Sequence, residues 1–129
     1  MHLLAISSGE VRGGPEEAYV EHLFPERHEQ AHFRRIGSKP VIFVTARVHP
    51  SEVGASYALM GIIDFLVGGG EEAKRILSEF YVLIVPMLNP DGVQMGNNRL
   101  DFYGQNLNRF YLLPDLEMQP VCFAVKSIL

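Results

Sequence analysis

Two short apolar runs, residues 40–48 (PVIFVTARV) and 81–88 (YVLIVPML), constrain the fold more than any other feature of the chain. Both are rich in β-branched residues and apolar at consecutive positions, as strands read when a sheet is covered on each side. The first is the stronger and predicts an inner strand. Between the runs, residues 51–67 (SEVGASYALMGIIDFLV) change to helical spacing, with Val53, Tyr57, Met60, Ile63, Asp64 and Val67 falling on or beside one face. The triplet Gly68, Gly69, Gly70 stops that helix. Residues 71–80 (EEAKRILSEF) then read as a short amphipathic helix with acids first and bases later, the order the helix dipole favours. Strand, helix and strand in that order predict an α/β fold with a mostly parallel or mixed sheet flanked by helices.

The flanking segments fit that frame. Residues 2–7 (HLLAIS) predict a further short buried strand, and residues 8–39 read as a long irregular connection with room for a short helix near PEEAYVEHLF. Residues 89–120 form a second polar connection with turn signals NPDG and YGQN, and a last helix starts behind Pro120. With 129 residues and no internal repeat, one domain or one piece of a larger domain is expected.

Composition removes several function classes. Fifteen acidic against 11 basic residues give a formal charge of −4, and without a Lys/Arg run there is no electrostatic basis for general nucleic-acid or anionic-membrane binding. No apolar run approaches the roughly 18 residues of a membrane span, and the first residues do not read as a signal peptide, so a cytoplasmic protein is expected. Cys122, the single cysteine, agrees with a reducing compartment and reads as a buried helix residue rather than a catalytic thiol. The glycine triplet ends a helix instead of opening one, which argues against a nucleotide-binding loop.

In open α/β sheets ligands bind outside the carboxyl ends of strands. His49 follows the first strong strand, while Asn89, Asp91, Arg99, Asn108 and Arg109 follow the second, so two polar clusters are expected on one sheet edge. The stretch TARVHPSEVGAS (45–56) sets His49 and Glu52 three residues apart at a strand-to-helix junction, close enough for both to reach one cation. The same four residues could instead be a plain helix start, with Ser51 or His49 as cap and Glu52 complementing the dipole. In the second cluster, NPDGV, GNNR and NLNR offer arginine and asparagine side chains suited to a carboxylate.

Taken together and in order, ARVHPSE, PMLNPDGV, GNNR and NLNR resemble the zinc carboxypeptidase family, within it the cytosolic branch that trims glutamates from modified tubulin tails. The resemblance implies a partial zinc-carboxypeptidase (phosphorylase/hydrolase-like) domain, residues 1–129 being its N-terminal portion. It implies His49 and Glu52 as two zinc ligands, and Arg99 as the group meeting the scissile carbonyl oxygen. Asn108 and Arg109 would then hold the terminal carboxylate of a peptide or protein substrate, possible substrates including glutamylated tubulin. Asn89, Pro90, Asp91 and Gly92 would be structural, Gly92 suiting a turn and Asp91 bonding a histidine ligand or nearby backbone.

Departures from the family pattern shape a further expectation. Ser51 stands where the family has glycine, and neither the family's later histidine ligand nor its general-base glutamate occurs before Leu129. His2, His22, His28 and His32 all precede the first strong strand and match no ligand position. The family's cytosolic branch also carries an N-terminal β-rich domain that has no counterpart here. The 129-residue chain alone is therefore expected to be inactive. The alternative reading is a catalytically inactive module that binds C-terminal carboxylates, or a fragment with no function of its own.

Overall fold

The structure, a computed structural model, describes residues 1–8 and 39–128. Its centre is β3 (Tyr81–Val85), every residue of which is buried. Strand β2 (Val41–Thr45) lies parallel to it, in a register that sets Val41 beside Tyr81 and Thr45 beside Val85. Strand β1 (Leu4–Ile6) pairs antiparallel on the other side, with Leu4 opposite Ile84, so the order is β1-β3-β2 and the sheet is mixed. Parallel neighbours need a crossover, supplied here by α1 (Val53–Val67) and α2 (Glu71–Glu79).

The alternating faces of the strands are covered differently. Val82 and Ile84 join Leu59 and Leu66 of α1, with Ile76 and Leu77 of α2 packed against them. Val85 and Leu88 instead meet Val125 of α4 (Pro120–Ile128), with Phe43 and Tyr111 alongside. Cys122 is fully buried in α4, as its apolar neighbours suggest. No single helix among the described residues is long and apolar enough to cross a membrane.

Two expectations are corrected. The inner strand is β3, while β2 lies at the edge of the described sheet with Val41 39% and Ile42 36% exposed. An apolar run suits a strand with cover on both faces but says nothing about its hydrogen-bonded neighbours, and no residue of β2 is fully buried among the described residues. Helix α1 also turns a different face inward: Leu59 and Leu66 are buried, whereas Val53, Tyr57, Met60 and Val67 are exposed. Ile63, on the expected face, does pack on the core. Apolar residues run almost all round this helix, so spacing alone did not distinguish the two sides.

The glycine triplet does end α1, with the Gly68 amide donating to Asp64 O at 2.9 Å and Gly69 at φ +74°. The connection expected over 8–39 lies, for residues 9–38, outside the described residues. At its margins Lys39 Nζ donates to Ser8 O at 2.9 Å and to Leu77 O at 2.8 Å, tying both margins to the last turn of α2.

Residues 89–120 hold more structure than turn signals implied. NPDG opens a short helix, α3 (Pro90–Gln94), with Asn89 as cap accepting from the Gly92 amide at 2.9 Å and Pro90 at the first position. Leu107–Arg109 form a single 3₁₀ turn. Gly92 is required by close approach rather than by a turn. A Cβ there would lie 2.6 Å from Pro50 Cγ, 2.7 Å from Asn89 Oδ1 and 2.7 Å from Leu100 O, and two of those atoms sit in other loops. Gly92→Ala should therefore destabilise the chain by about 1–3 kcal/mol through overpacking. A lowered thermal midpoint would show it; an unchanged one would mean that the three loops can move apart freely.

Candidate metal and carboxylate site

Because β2 and β3 run parallel, their carboxyl ends open on one edge, and the backbone there is joined across the gap. Ala46 N donates to Val85 O at 3.1 Å, Leu88 N to Ala46 O at 2.9 Å, and Asn89 N to Arg47 O at 3.1 Å. Arg47 then leaves the strand direction at φ 57°, a left-handed conformation costing a side chain on the order of 1 kcal/mol. The next residues turn back toward α1 and carry His49 and Glu52.

His49 is 4% exposed, yet both ring nitrogens have polar partners. Nδ1 lies 2.8 Å from Glu52 Oε1, and Nε2 lies 3.0 Å from Asn106 Oδ1. Glu52 is the cap residue of α1, but its side chain makes no capping bond. Neither Ser51 nor His49 caps the helix, although Glu52, at its amino end, is placed to complement the dipole.

The contacts of Asn106 fix the tautomer of His49. Asn106 Oδ1 also accepts from Asn108 N at 3.2 Å, which orients the oxygen, and not the amide nitrogen, toward the ring. An oxygen facing Nε2 calls for a proton there. In the neutral ring Nδ1 then carries a lone pair, aimed at a carboxylate oxygen 2.8 Å away. Two electron-rich atoms so close need a positive charge between or beside them, either a proton or a cation. This donor set fits zinc, which takes imidazole nitrogen and carboxylate oxygen and whose histidine ligands usually donate their other N–H to an acceptor. Among the described residues no third His, Cys, Asp or Glu joins the pair, so a cation there would find two such donors among them.

The second cluster is tied to the first through neighbours of the residues the sequence singled out. Ser51 N donates to Asn98 O at 3.0 Å and Ser51 Oγ to Asn98 Oδ1 at 2.6 Å, which fixes the turn next to Arg99. Arg99 is exposed and lines an open hollow of about 530 Å³ with Asn97, Asn98, Leu100 and Asp101. Asn108 and Arg109 lie exposed on the 3₁₀ turn, two and three residues beyond the asparagine that touches His49. Asp91, expected to bond a histidine or nearby backbone, is exposed in the first turn of α3. Asn106 holds the histidine in its place.

Sequence reading thus missed Asn106, Asn98 and Arg47. Asn106 lies inside NLNR, but nothing in local spacing shows that it reaches a ring 57 residues earlier. The 101–106 loop is itself held, since Asp101 Oδ1 accepts from the amides of Tyr103 at 2.9 Å and Gln105 at 2.7 Å. Behind the 3₁₀ turn, Cys122 Sγ donates to Leu107 O at 3.4 Å. Burial, with the Asp101 charge adding to it, raises the Cys122 thiol to about 11, and burial likewise raises the phenol of Tyr111.

The zinc carboxypeptidase family, Peptidase_M14, matches over residues 1–117. Mouse cytosolic carboxypeptidase 4 is 41% identical over 106 residues, covering 82% of this chain and 9% of that protein. Bovine cytosolic carboxypeptidase-like protein 5 is 38% identical over 128 residues, covering 98% of this chain and 14% of that one. A metallo-carboxypeptidase from Burkholderia cenocepacia superimposes with a TM-score of 0.71 at 29% identity, over 98% of this chain and 28% of that chain. The chain thus spans a small part of each relative it matches.

The thiol generates a pH prediction. Its folded value of about 11 exceeds the ordinary 9.0, so folding favours the protonated form; the resulting stability is full below pH 9 and is lost as pH rises through 11. Cys122→Ala should flatten the decline in unfolding free energy between those pH values, by on the order of 2 kcal/mol. Parallel curves for the two proteins in urea titrations would contradict it.

Proposed function

Because the chain belongs to the zinc carboxypeptidase family, we propose that it carries the ligand pair and carboxylate clamp of a cytoplasmic metallocarboxypeptidase removing C-terminal residues, foremost glutamates of tubulin-like tails. The observation that carries this reading is the His49–Glu52 pair, with Nδ1 and Oε1 at 2.8 Å and the far side of the ring anchored on Asn106. The names of the mouse and bovine relatives support the cytoplasmic setting. The glutamate preference rests on the resemblance of PMLNPDGV and NLNR to the tubulin-trimming branch.

His49 Nδ1 and Glu52 Oε1 would hold zinc. Zinc bound there supplies a Lewis acid and lowers the pKa of a water for attack on a carbonyl. Arg99, at the rim of the hollow, would donate to the carbonyl oxygen as negative charge develops on it. Arg109 and Asn108 would hold the substrate's terminal carboxylate, the guanidinium by paired hydrogen bonds, which restricts cleavage to a chain end. The remaining ligand and the proton-accepting carboxylate would come from further parts of the domain, which in the Burkholderia enzyme is several times longer than the matched span. The 129-residue chain by itself is then a partial site. A second reading, a module that binds C-terminal carboxylates without cleaving them, is favoured by the two-donor set among the described residues.

Zinc binding by the 129-residue chain should be weak, with at least half the shell left to water or a neighbour. His49→Ala should abolish it and Asn106→Ala weaken it about tenfold by freeing the ring. Calorimetry giving a tight one-to-one site would mean a third ligand lies in the chain.

Activity separates the two readings. Mass spectrometry of a glutamate-ended peptide with zinc should show no trimming by the 129-residue chain, since among the described residues no further carboxylate stands at the pair as a base, a role worth roughly 10² to 10⁴ in rate. A form extended to a complete peptidase domain should trim it, and Arg109→Ala in that form should raise KM for peptides with a free terminal carboxylate. Trimming by the short chain would refute the partial-site reading. No trimming of any peptide by the long form would favour the binding module.

A further inference from the structure

Among the described residues, Arg47 is the only non-glycine with positive φ, at 57°, and it immediately precedes the turn that carries the ligand pair. Glycine would adopt that conformation without strain, so an arginine there needs a compensating use of its side chain. The side chain folds back onto its own turn. Nε and Nη2 both donate to Pro50 O, at 3.0 and 2.7 Å, and Nη1 donates to Ser56 Oγ at 3.0 Å. Pro50 lies between His49 and Glu52, and Ser56 lies in the first turn of α1, so one planar group grips both the turn and the helix that follows it.

We propose that Arg47 is a positioning residue, its guanidinium fixing the Pro50 peptide against α1 so that His49 Nδ1 and Glu52 Oε1 converge on one point. The inference rests on the metal reading for its consequence, but its geometry stands on the metal-free chain. His49 is fixed independently on its far side by Asn106, and the turn is fixed at Ser51 by Asn98. Glu52 has neither restraint. Its side chain is half exposed and makes no capping bond, so the backbone path from Pro50 into α1 determines where its carboxylate lies. That path is what Arg47 holds. Lysine could reach Pro50 O but, with one point charge, could not span the carbonyl and the Ser56 hydroxyl in a fixed plane.

The test compares Arg47→Gly, Arg47→Ala and Arg47→Lys in the 129-residue chain. Arg47→Ala keeps the backbone strain and removes the grip; Arg47→Gly removes both. Thermal midpoints should therefore be higher for the glycine than for the alanine variant, while zinc affinity by calorimetry falls about tenfold or more in both. Arg47→Lys should recover part of that loss. Were the role only structural, affinity would follow the midpoints, and the glycine variant would bind zinc better than the alanine one. That ranking, or wild-type affinity in Arg47→Gly, overturns the proposal.

A second readout needs no metal. In ¹⁵N-edited spectra of the zinc-free chain, the His49 ring signals should shift or broaden in Arg47→Gly as the Glu52 contact is lost, while the backbone amide of Ala73, buried in α2, keeps its position. Unchanged His49 signals would also overturn the proposal. A wild-type chain that binds no zinc, but whose ring signals respond to Arg47→Gly, would leave the positioning role supported and refute the metal reading instead.

Discussion

The site depends on a single buried amide. Asn89, 2% exposed, donates from Nδ2 to Val48 O and to Leu100 O, each at 3.3 Å, and accepts the Gly92 amide on Oδ1 at 2.9 Å. Those three partners belong to the turn after β2, the loop that carries Arg99, and helix α3. A buried amide can satisfy this set only when all three segments are in place, so the side chain acts as a gauge for their mutual position. Gly92 closes the same junction sterically, because it lies against Pro50, Asn89 and Leu100 with no room for a methyl group.

From that junction the geometry of the edge follows. The parallel pairing of β2 with β3 brings residues 46–52 and 88–109 to one end of the sheet, and side-chain bonds then lock them at short range. The 3₁₀ turn is supported from below by α4, where Cys122 meets Leu107 O, and the loop before it by Gln119, just ahead of α4, which donates to Gln105. Asn106, at the head of that turn, faces His49 as a consequence. A histidine that is 4% exposed can therefore be polar on both edges without being loose, since one nitrogen meets Glu52 and the other an asparagine held on the 3₁₀ turn.

Strand and helix identities were legible because periodicity reports burial. The runs at 40–48 and 81–88 became β2 and β3, shorter by a few residues, and the glycine triplet ended α1 where expected. What periodicity did not report was partnership. It left β2 and β3 equivalent, although among the described strands β3 is central and β2 is not, and it could not choose a face for a helix apolar nearly all round. The contact of His49 with Glu52 was legible because the two lie within one turn of sequence. Asn106 and Arg47 were not: the first acts across 57 residues, and the second acts through a backbone angle that no residue pattern announces.

Overall charge and local charge point in opposite directions. The chain carries −4 formally, which on its own would disfavour an acidic ligand. Along this sheet edge the charges are individually placed. Arg99 and Arg109 are exposed, whereas Asp101 is buried with Oδ1 bonded to two backbone amides. Glu52, half exposed, is turned toward His49. Asp101 and Glu52 are thus engaged in holding a loop and His49, while Asp91, Arg99 and Arg109 face solvent and Arg47 is used on its own turn. With Asn106 in place of a carboxylate behind His49, no further negative charge is added, so a divalent ion at the pair would leave the edge more positive still. Any pull of these exposed arginines on a carboxylate would be screened beyond about 8 Å at physiological salt and hence felt only on arrival. For such a ligand the charges at this edge matter more than the net charge of the chain.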